Sequence, residues 1–255
     1  MDTTGLKTGG NDLLAILPEA TLDRMAPHCD RVTLARGDVV SEADQPLTTA
    51  LFIESGVASI RKAGRHQKSE ICIVGHESFC GMPIVLEDEA WPYRTIVQAD
   101  ELTGVQIEAS SLRRLIAADA DLRRVLLRSV QVRLVHISES LVSTARQRLN
   151  QRLASWLLMY RDRLRSDRLA VTHEFIAQML GVQRTGVTAA LHEMEGAGLI
   201  SSRRGLVIIL SLPALLSLAA GGYGVTEKQQ ARLLDARSTI APAVREGGLD
   251  RLPEG

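Results

Sequence analysis

The residues best placed to do chemistry lie between Thr172 and Gly205. Gln183, Arg184, Thr185, Thr188 and Ala189 fall on one side of a helical run. Its other side carries Val187, Ala190, Leu191 and Met194. The polar side is short and sits at the N-terminal end, the end that enters a major groove in a helix-turn-helix. The Arg184 fork has the shape to pair with guanine O6 and N7 there. Arg203-Arg204-Gly205 then sets two cations at a turn between two strand-like runs, Leu199–Ser202 and Leu206–Leu210. That is a basic hairpin tip, suited to phosphates. Helix pairs joined by glycine occur in bundles that bind nothing, and two arginines in a turn are often only solvated. The conjunction of the two points to DNA.

Three features have to position these groups. Thr172 precedes the apolar-periodic run Phe175, Ile176, Met179, Leu180 and can cap a helix there; it is counted among the DNA-contacting candidates. Gly181 supplies the positive φ that a tight turn between two helices needs, and Gly198 closes the second helix. The whole reads as a winged helix-turn-helix.

Other chemistry finds little support in the sequence. There is no G-x-S-x-G elbow, no H-E-x-x-H and no phosphate-binding G-x-x-x-x-G-K-[ST]. His173-Glu174 and His192-Glu193 have no second His in ligand spacing, and exposed or capping roles are expected of them. No catalytic residue, metal ligand or cofactor is assigned. Cys29, Cys72 and Cys80 are odd in number and scattered, which suits a reducing cytoplasm and no disulfide framework. Three cysteines cannot hold an iron–sulfur cluster that needs four. Cys72, His76 and Cys80 are close in sequence, but a lone His beside a loop is more often a surface residue than a haem ligand. A thiol switch at Cys80 stays open. No apolar run reaches the roughly 18 residues of a membrane span. The start MDTTGLKTGG lacks a cationic segment followed by an apolar core, so no secretory signal is expected.

Net charge is zero but unevenly spread. Residues 1–109 hold 9 Lys/Arg against 17 Asp/Glu, residues 110–149 hold 8 against 3, residues 150–220 hold 8 against 5, and residues 221–255 hold 5 of each. The acidic half is unsuited to DNA, whereas the second half can meet phosphate.

Composition and periodicity predict an α+β chain of several parts. Residues 12–28 read as short helices burying Leu13, Leu14, Leu17, Leu22 and Met25. From Arg31 to Glu108, short β-branched runs (31–34, 51–53, 57–60, 71–74, 95–98, 104–107) are punctuated by turns such as Gly37-Asp38, Ser55-Gly56, Ala63-Gly64 and Gly75-His76. That spacing predicts a jelly-roll-like β domain over residues 1–109. Residues 110–148 form a linker and a long helix. On it Leu127, Val130, Leu134, Ile137 and Leu141 step by 3 and 4, a heptad seam that predicts a homodimer. Residues 149–220, opened by a helix over 149–165, hold the winged helix-turn-helix. Residues 221–255 form an extension, helical over Thr226–Arg237 and then Gly- and Pro-punctuated and mobile, with no assigned function.

This order resembles the Crp/Fnr family of regulators. Arg152-Leu153-Ala154-Ser155-Trp156-Leu157-Leu158 resembles the family's R-[LI]-A-x-x-L-L. Residues 172–181 (THEFIAQMLG) resemble T-x-E-x-[LI]-A-x-x-[LI]-G, Arg184–Thr188 resembles R-x-x-V-[ST], and Gly198-Leu199-Ile200 with Arg203-Arg204-Gly205 is similar to its wing. The likeness spans residues 11–220. It implies a cyclic-nucleotide-binding-like β domain, a homodimer, double-stranded DNA with a palindromic operator, and RNA polymerase as a partner. In the family, G-E-x-G followed by R-[ST]-A cradles a cyclic nucleotide. The effector pocket this implies is Gly75, Gly81, Met82, Arg94, Thr95 and Ser138. Met82 stands where a ribose-binding Glu would be and Pro83 removes a backbone donor, so cyclic AMP is not expected as the effector. A salt bridge from Arg94 to Glu87, Asp88 or Glu89 is the plainer role for that residue. The alternative to a regulator is a ligand-binding or interaction module that has lost specific DNA binding; Arg184, Arg203 and Arg204 argue against it.

Overall fold

The computed structural model describes residues 2–62 and 70–234. The Ala63-Gly64 turn and everything expected beyond 234 lie outside the described residues. Three short helices open the chain: α1 (Thr3–Thr8), α2 (Asp12–Ala15) and α3 (Glu19–Met25). Asn11 fixes their place. Its Oδ1 accepts from the N–H groups of Leu13 and Leu14, both at 3.1 Å, and its Nδ2 donates to the carbonyls of Ile53 and Ser78, both at 2.8 Å. With both amide ends satisfied, the side chain can be buried without penalty. Leu13, Leu14, Leu17, Leu22 and Met25 all point into one core, as their spacing predicts.

The β domain follows as β1 (Cys29–Ala35), β2 (Val39–Ser41), β3 (Thr49–Ser55), β4 (Ala58–Lys62), β5 (Glu70–Val74), β6 (Phe79–Cys80), α4 (Met82–Val85), β7 (Tyr93–Val97) and β8 (Glu101–Glu108). The strands form two antiparallel four-stranded sheets, ordered β1-β8-β3-β6 and β2-β7-β4-β5. The non-sequential order is that of a jelly-roll-like sandwich. Leu51, Ile53, Ala58, Ile60, Cys72, Val74, Val97 and Leu102 fill one core between the sheets. β2 and β6 are too short to leave a periodic signal and were not legible in the sequence.

Two helices lead out of this domain, α5 (Ala109–Ala118) and α6 (Ala120–Arg146). Asp119 caps α6 through Oδ1, accepting from Asp121 and Leu122 at 2.9 and 3.0 Å. Its Oδ2 accepts from Thr21 at 2.8 Å and from the Arg24 guanidinium. Burial alone would raise this carboxyl, but Arg24, the Leu122 N–H and Thr21 outweigh it and hold the pKa at about 2. The same residue thus starts α6 and ties it to α3. Leu122, Leu126 and Val130 bury against the N-terminal helices.

Of the heptad positions on α6, four are exposed and one turns into its own chain. Leu127, Leu134, Ile137 and Leu141 are exposed by 44, 55, 39 and 70%, whereas Val130 is 8% exposed and packs inside its own chain. Period alone could not separate the inward face from the outward one, because both faces of α6 are apolar at this point.

After a break at Gln147-Arg148, α7 (Leu149–Leu164) begins the C-terminal part. It continues as β9 (Arg168–Leu169), α8 (His173–Leu180), α9 (Arg184–Gly196), β10 (Ile200–Arg203), β11 (Leu206–Ile209), α10 (Leu212–Ala219) and α11 (Val225–Leu234). β10, β11 and β9 form a three-stranded sheet in that order. Leu153, Trp156, Leu157, Tyr160, Ile176, Val187, Leu191 and Met194 share one core with Val57 and Ile73 of the β domain. The two domains thus meet over an apolar face.

Over its described part the extension is helical where the sequence reads a helix, and the structure adds where that helix docks. α11 lies along α6. Leu234 enters the N-terminal core, the Arg128 guanidinium donates to the Leu233 carbonyl at 3.1 Å, and the Tyr223 hydroxyl donates to Asp162 of α7. Gly221-Gly222 follows α10. In the structure a side chain at 222 would collide with Gln147 and Ser155, so glycine lets the segment cross the α6–α7 break closely.

Candidate nucleic-acid interface

Local sequence builds the helix-turn-helix in the expected way. The Thr172 hydroxyl accepts from the Phe175 N–H at 3.1 Å and caps α8. Gly181 ends α8 at φ 65°, and the Val182 N–H returns to the Ala177 carbonyl at 3.0 Å. Arg152 of α7 donates to the Leu180 carbonyl at 2.5 Å, filling an acceptor left open at the end of α8. α9 then starts at Arg184, with Gln183 as its N-cap residue in extended conformation. Val187, Ala190, Leu191 and Met194 are buried, which fixes the rotation of α9. Gln183, Arg184, Thr185 and Ala189 are consequently turned outward, and Thr188 is half-buried.

The wing stands beside this face. Ile200–Arg203 pairs with Leu206–Ile209, and Arg203 is opposite Leu206, so Arg204-Gly205 is the tip, with Gly205 at φ 74°. Arg203 and Arg204 are exposed. None of Arg184, Arg203 and Arg204 makes an ion pair with a described residue within 4.0 Å. Arg184 and Glu174 do not pair; Glu174 accepts from Gln178 at 3.3 Å instead. Three uncompensated guanidinium groups therefore face outward from one end of the domain. Such an arrangement holds anions that arrive from outside.

Sequence reasoning underrated His173. Its Nδ1 is 2.9 Å from the Thr188 hydroxyl and its Nε2 is 3.3 Å from that of Ser202, so one ring joins α8, α9 and β10. Burial, then the positive charge of Arg184 and of His192, lowers its pKa. Glu195 adds a second brace, accepting from the Ser202 N–H at 2.8 Å. A sequence signal existed for one partner: His173 precedes Ile176 and Ala177 by three and four residues and so shares the buried face of α8.

The six effector-pocket residues lie on or beside β5, α4, β7 and α6, each with neighbours of its own. Gly75 lies against Arg163 of α7, where a Cβ would clash. Gly81 takes φ 109° at the start of α4, and Met82 packs on the N-terminal core. Arg94 and Thr95 are neighbours on β7 and so point to opposite sides of the sheet. Arg94 pairs with Glu42 at 2.9 Å, not with the acids at 87–89, and Thr95 is buried and accepts from Ser41 at 3.0 Å. Ser138 is exposed on α6 and donates back to the Leu134 carbonyl at 2.8 Å. Cys80 is buried, and burial pushes its thiol up to about 12, which leaves little thiolate for redox chemistry.

Residues 151–218 match the family of Crp-like helix-turn-helix domains. No curated protein matches the sequence. Among solved structures, a Crp/Fnr-family transcriptional regulator from Thermus thermophilus is 21% identical, with a TM-score of 0.64 over 75% of this chain and 98% of its own. A second Crp-family regulator from that organism is 20% identical, with a TM-score of 0.63 over 74% and 96%. The c-di-GMP-responsive global regulator CLP of Xanthomonas campestris is 17% identical, with a TM-score of 0.63 over 76% and 100%. The jelly-roll sandwich, the long α6 and the winged domain all lie within that shared fold. Residues 151–218 are thus similar to Crp-like helix-turn-helix domains, and the chain shares its fold with solved regulators of the Crp/Fnr family.

Proposed function

We propose that the protein is a homodimeric, cytoplasmic regulator that reads a palindromic operator and acts on transcription by RNA polymerase. The observation that carries this reading is the outward face of α9 beside the wing: Arg184, Arg203 and Arg204 exposed together with no described carboxylate partner. In this reading the N-terminal turn of α9 enters the major groove. Arg184 reads a guanine, Gln183, Thr185 and Ala189 face neighbouring bases, and Ala189 suits a thymine methyl. Thr172 and Thr188 lie at the edge of the interface, while Arg203 and Arg204 neutralise phosphates. α6 supplies the two-fold seam through Leu127, Leu134, Ile137 and Leu141, so that two α9 helices meet successive half-sites. The parts follow the boundaries 1–109 for the β domain, 110–148 for the connecting helices and 149–220 for the DNA-binding unit.

The β domain acts as the sensor, but cyclic AMP is a poor fit. Arg94 is already paired with Glu42, Thr95 is turned inward, and Met82 offers no acceptor to a ribose. Selection of genomic fragments by the purified full chain, read by sequencing, tests the reading. A recovered palindrome supports it; fragments recovered without a common sequence count against it.

A further inference from the structure

Residues 220–234 follow the helix-turn-helix match, which ends at residue 218, and they touch both sides of the break between α6 and α7. The break is short. Only Gln147 and Arg148 separate the two helices, both with extended backbone. A few residues at an element end are where a hinge absorbs its change in φ and ψ. Two ion pairs, Arg163 with Glu77 at 2.9 Å and Arg165 with Asp12 at 3.1 Å, hold the far end of α7 to the β domain. Neither acts at the break.

The segment 220–234 does. The Gln147 amide donates to the Ala219 carbonyl at 3.1 Å, and Gly222 lies so close that a Cβ there would collide with the Gln147 side chain and the Ser155 hydroxyl. Gly221 and Gly224, at φ 82° and 103°, turn the chain between α10 and α11. On the α7 side the Tyr223 hydroxyl donates to Asp162. On the α6 side the Arg128 guanidinium donates to the Leu233 carbonyl at 3.1 Å, and Leu234 joins the core that holds Leu122, Leu126 and Val130. The hold is light, because α11 buries only Thr226 and Leu234 of its 10 residues. A helix with so few buried contacts opens before the sandwich or the winged domain does.

We propose that residues 220–234 are a strap over the α6–α7 break: it holds α7, and the winged domain built on it, in one direction relative to α6, and lifting α11 frees that domain to pivot at Gln147-Arg148. The consequence for DNA rests on the dimeric DNA-binding reading. There the strap fixes the distance between the two α9 helices, and so the spacing of half-sites the protein accepts.

Leu234→Asp in the full chain puts a charge where a leucine is buried and should lift α11. Limited trypsin digestion without DNA, read by mass spectrometry, follows both ends of the proposal. Lys228 and Arg232 lie on the strap, and the exposed Arg146 and Arg148 flank the break. Initial cleavage at all of these should rise about tenfold over the parent, since cutting follows the population of the open form. Gly222→Val, which pushes the segment off the break and leaves Leu234 in place, should raise cleavage at Arg146 and Arg148. Faster cutting on the strap with parental cutting at the break would overturn the proposal, as would parental cutting at every site. Circular dichroism separates a lifted strap from a lost fold, and if Leu234→Asp loses its fold, Gly222→Val decides. On operators whose half-sites are moved one base pair at a time, the parent should prefer one spacing and Leu234→Asp should flatten that preference. A freed break with an unchanged spacing preference would overturn the consequence for DNA. A parent that binds no operator would instead fail the DNA-binding reading, and the digestion result would stand by itself.

Discussion

The imidazole of His173 sits between two hydroxyls, 2.9 Å from that of Thr188 on α9 and 3.3 Å from that of Ser202 on the wing. The recognition helix and the wing are therefore held at a fixed spacing by the helix that precedes them. His173→Ala should cost about 1–2 kcal/mol of stability for two partly buried hydrogen bonds. It should also weaken operator binding without changing the preferred bases. Thermal melts together with binding to the selected operator check both; an unchanged affinity would leave the ring as packing only.

The α6 seam makes a second prediction. Leu134 is 55% exposed in the single chain, although it lies in line with Leu127 and Leu141. Burying one leucine is worth about 1.5–3 kcal/mol, and two-fold symmetry counts the change twice. Leu134→Glu should sediment as a monomer and lose most operator affinity, whereas Val130→Ala should lower the melting temperature and leave the dimer intact. A dimeric Leu134→Glu variant would remove the seam from the account.

His76 supplies a pH dependence. Its Nδ1 is 3.1 Å from an Asp12 carboxylate oxygen and 2.9 Å from Arg165, and its Nε2 is 3.1 Å from the Asp162 carbonyl. Glu77 also acts on the ring through its charge. Burial pulls the pKa down, but the Asp12 hydrogen bond and the charges of Asp12 and Glu77 outweigh it, and the pKa is raised. Protonated His76 can donate to both Asp12 and Asp162; neutral His76 can keep only one of these and can accept from Arg165. A raised folded-state pKa stabilises fully below the unfolded value near 6.5, and that contribution is lost as pH rises through the folded value. Melting temperature should therefore fall between about pH 6 and 8 more steeply in the parent than in His76→Gln. Parallel profiles would show that the ring does not link the domains.

Much of this was legible because period and punctuation agree. Thr172, Gly181, the inward Val187–Met194 stripe and the Gly205 turn each fix one local choice, and together they define the winged unit. The sandwich was legible as strands, but β2, β6 and β9 were not, being too short to show alternation. Arg94 shows a different limit. Its partner, Glu42, lies on the loop after β2, and only the sheet pairing of β2 with β7 brings them together. Val130 packs into the core of its own chain, which period could not show because α6 is apolar on two sides. The docking of residues 221–234 left no sequence signal because its anchors, Asp162 and the N-terminal core, are remote in sequence.

The division of labour between Arg184 and Arg204 is the most direct test of the central reading. Each substitution to Ala is measured on the selected operator and on scrambled DNA across a salt series. Arg184→Ala should cost about 1–3 kcal/mol per half-site on the operator, relax preference at one base pair, and change binding to scrambled DNA far less. Arg204→Ala should weaken both DNAs alike and lower the salt slope by about one unit for each phosphate that Arg204 neutralises. If Arg184→Ala instead weakens both DNAs equally, α9 does not read bases through Arg184, and the assignment of its outward face to the major groove is wrong.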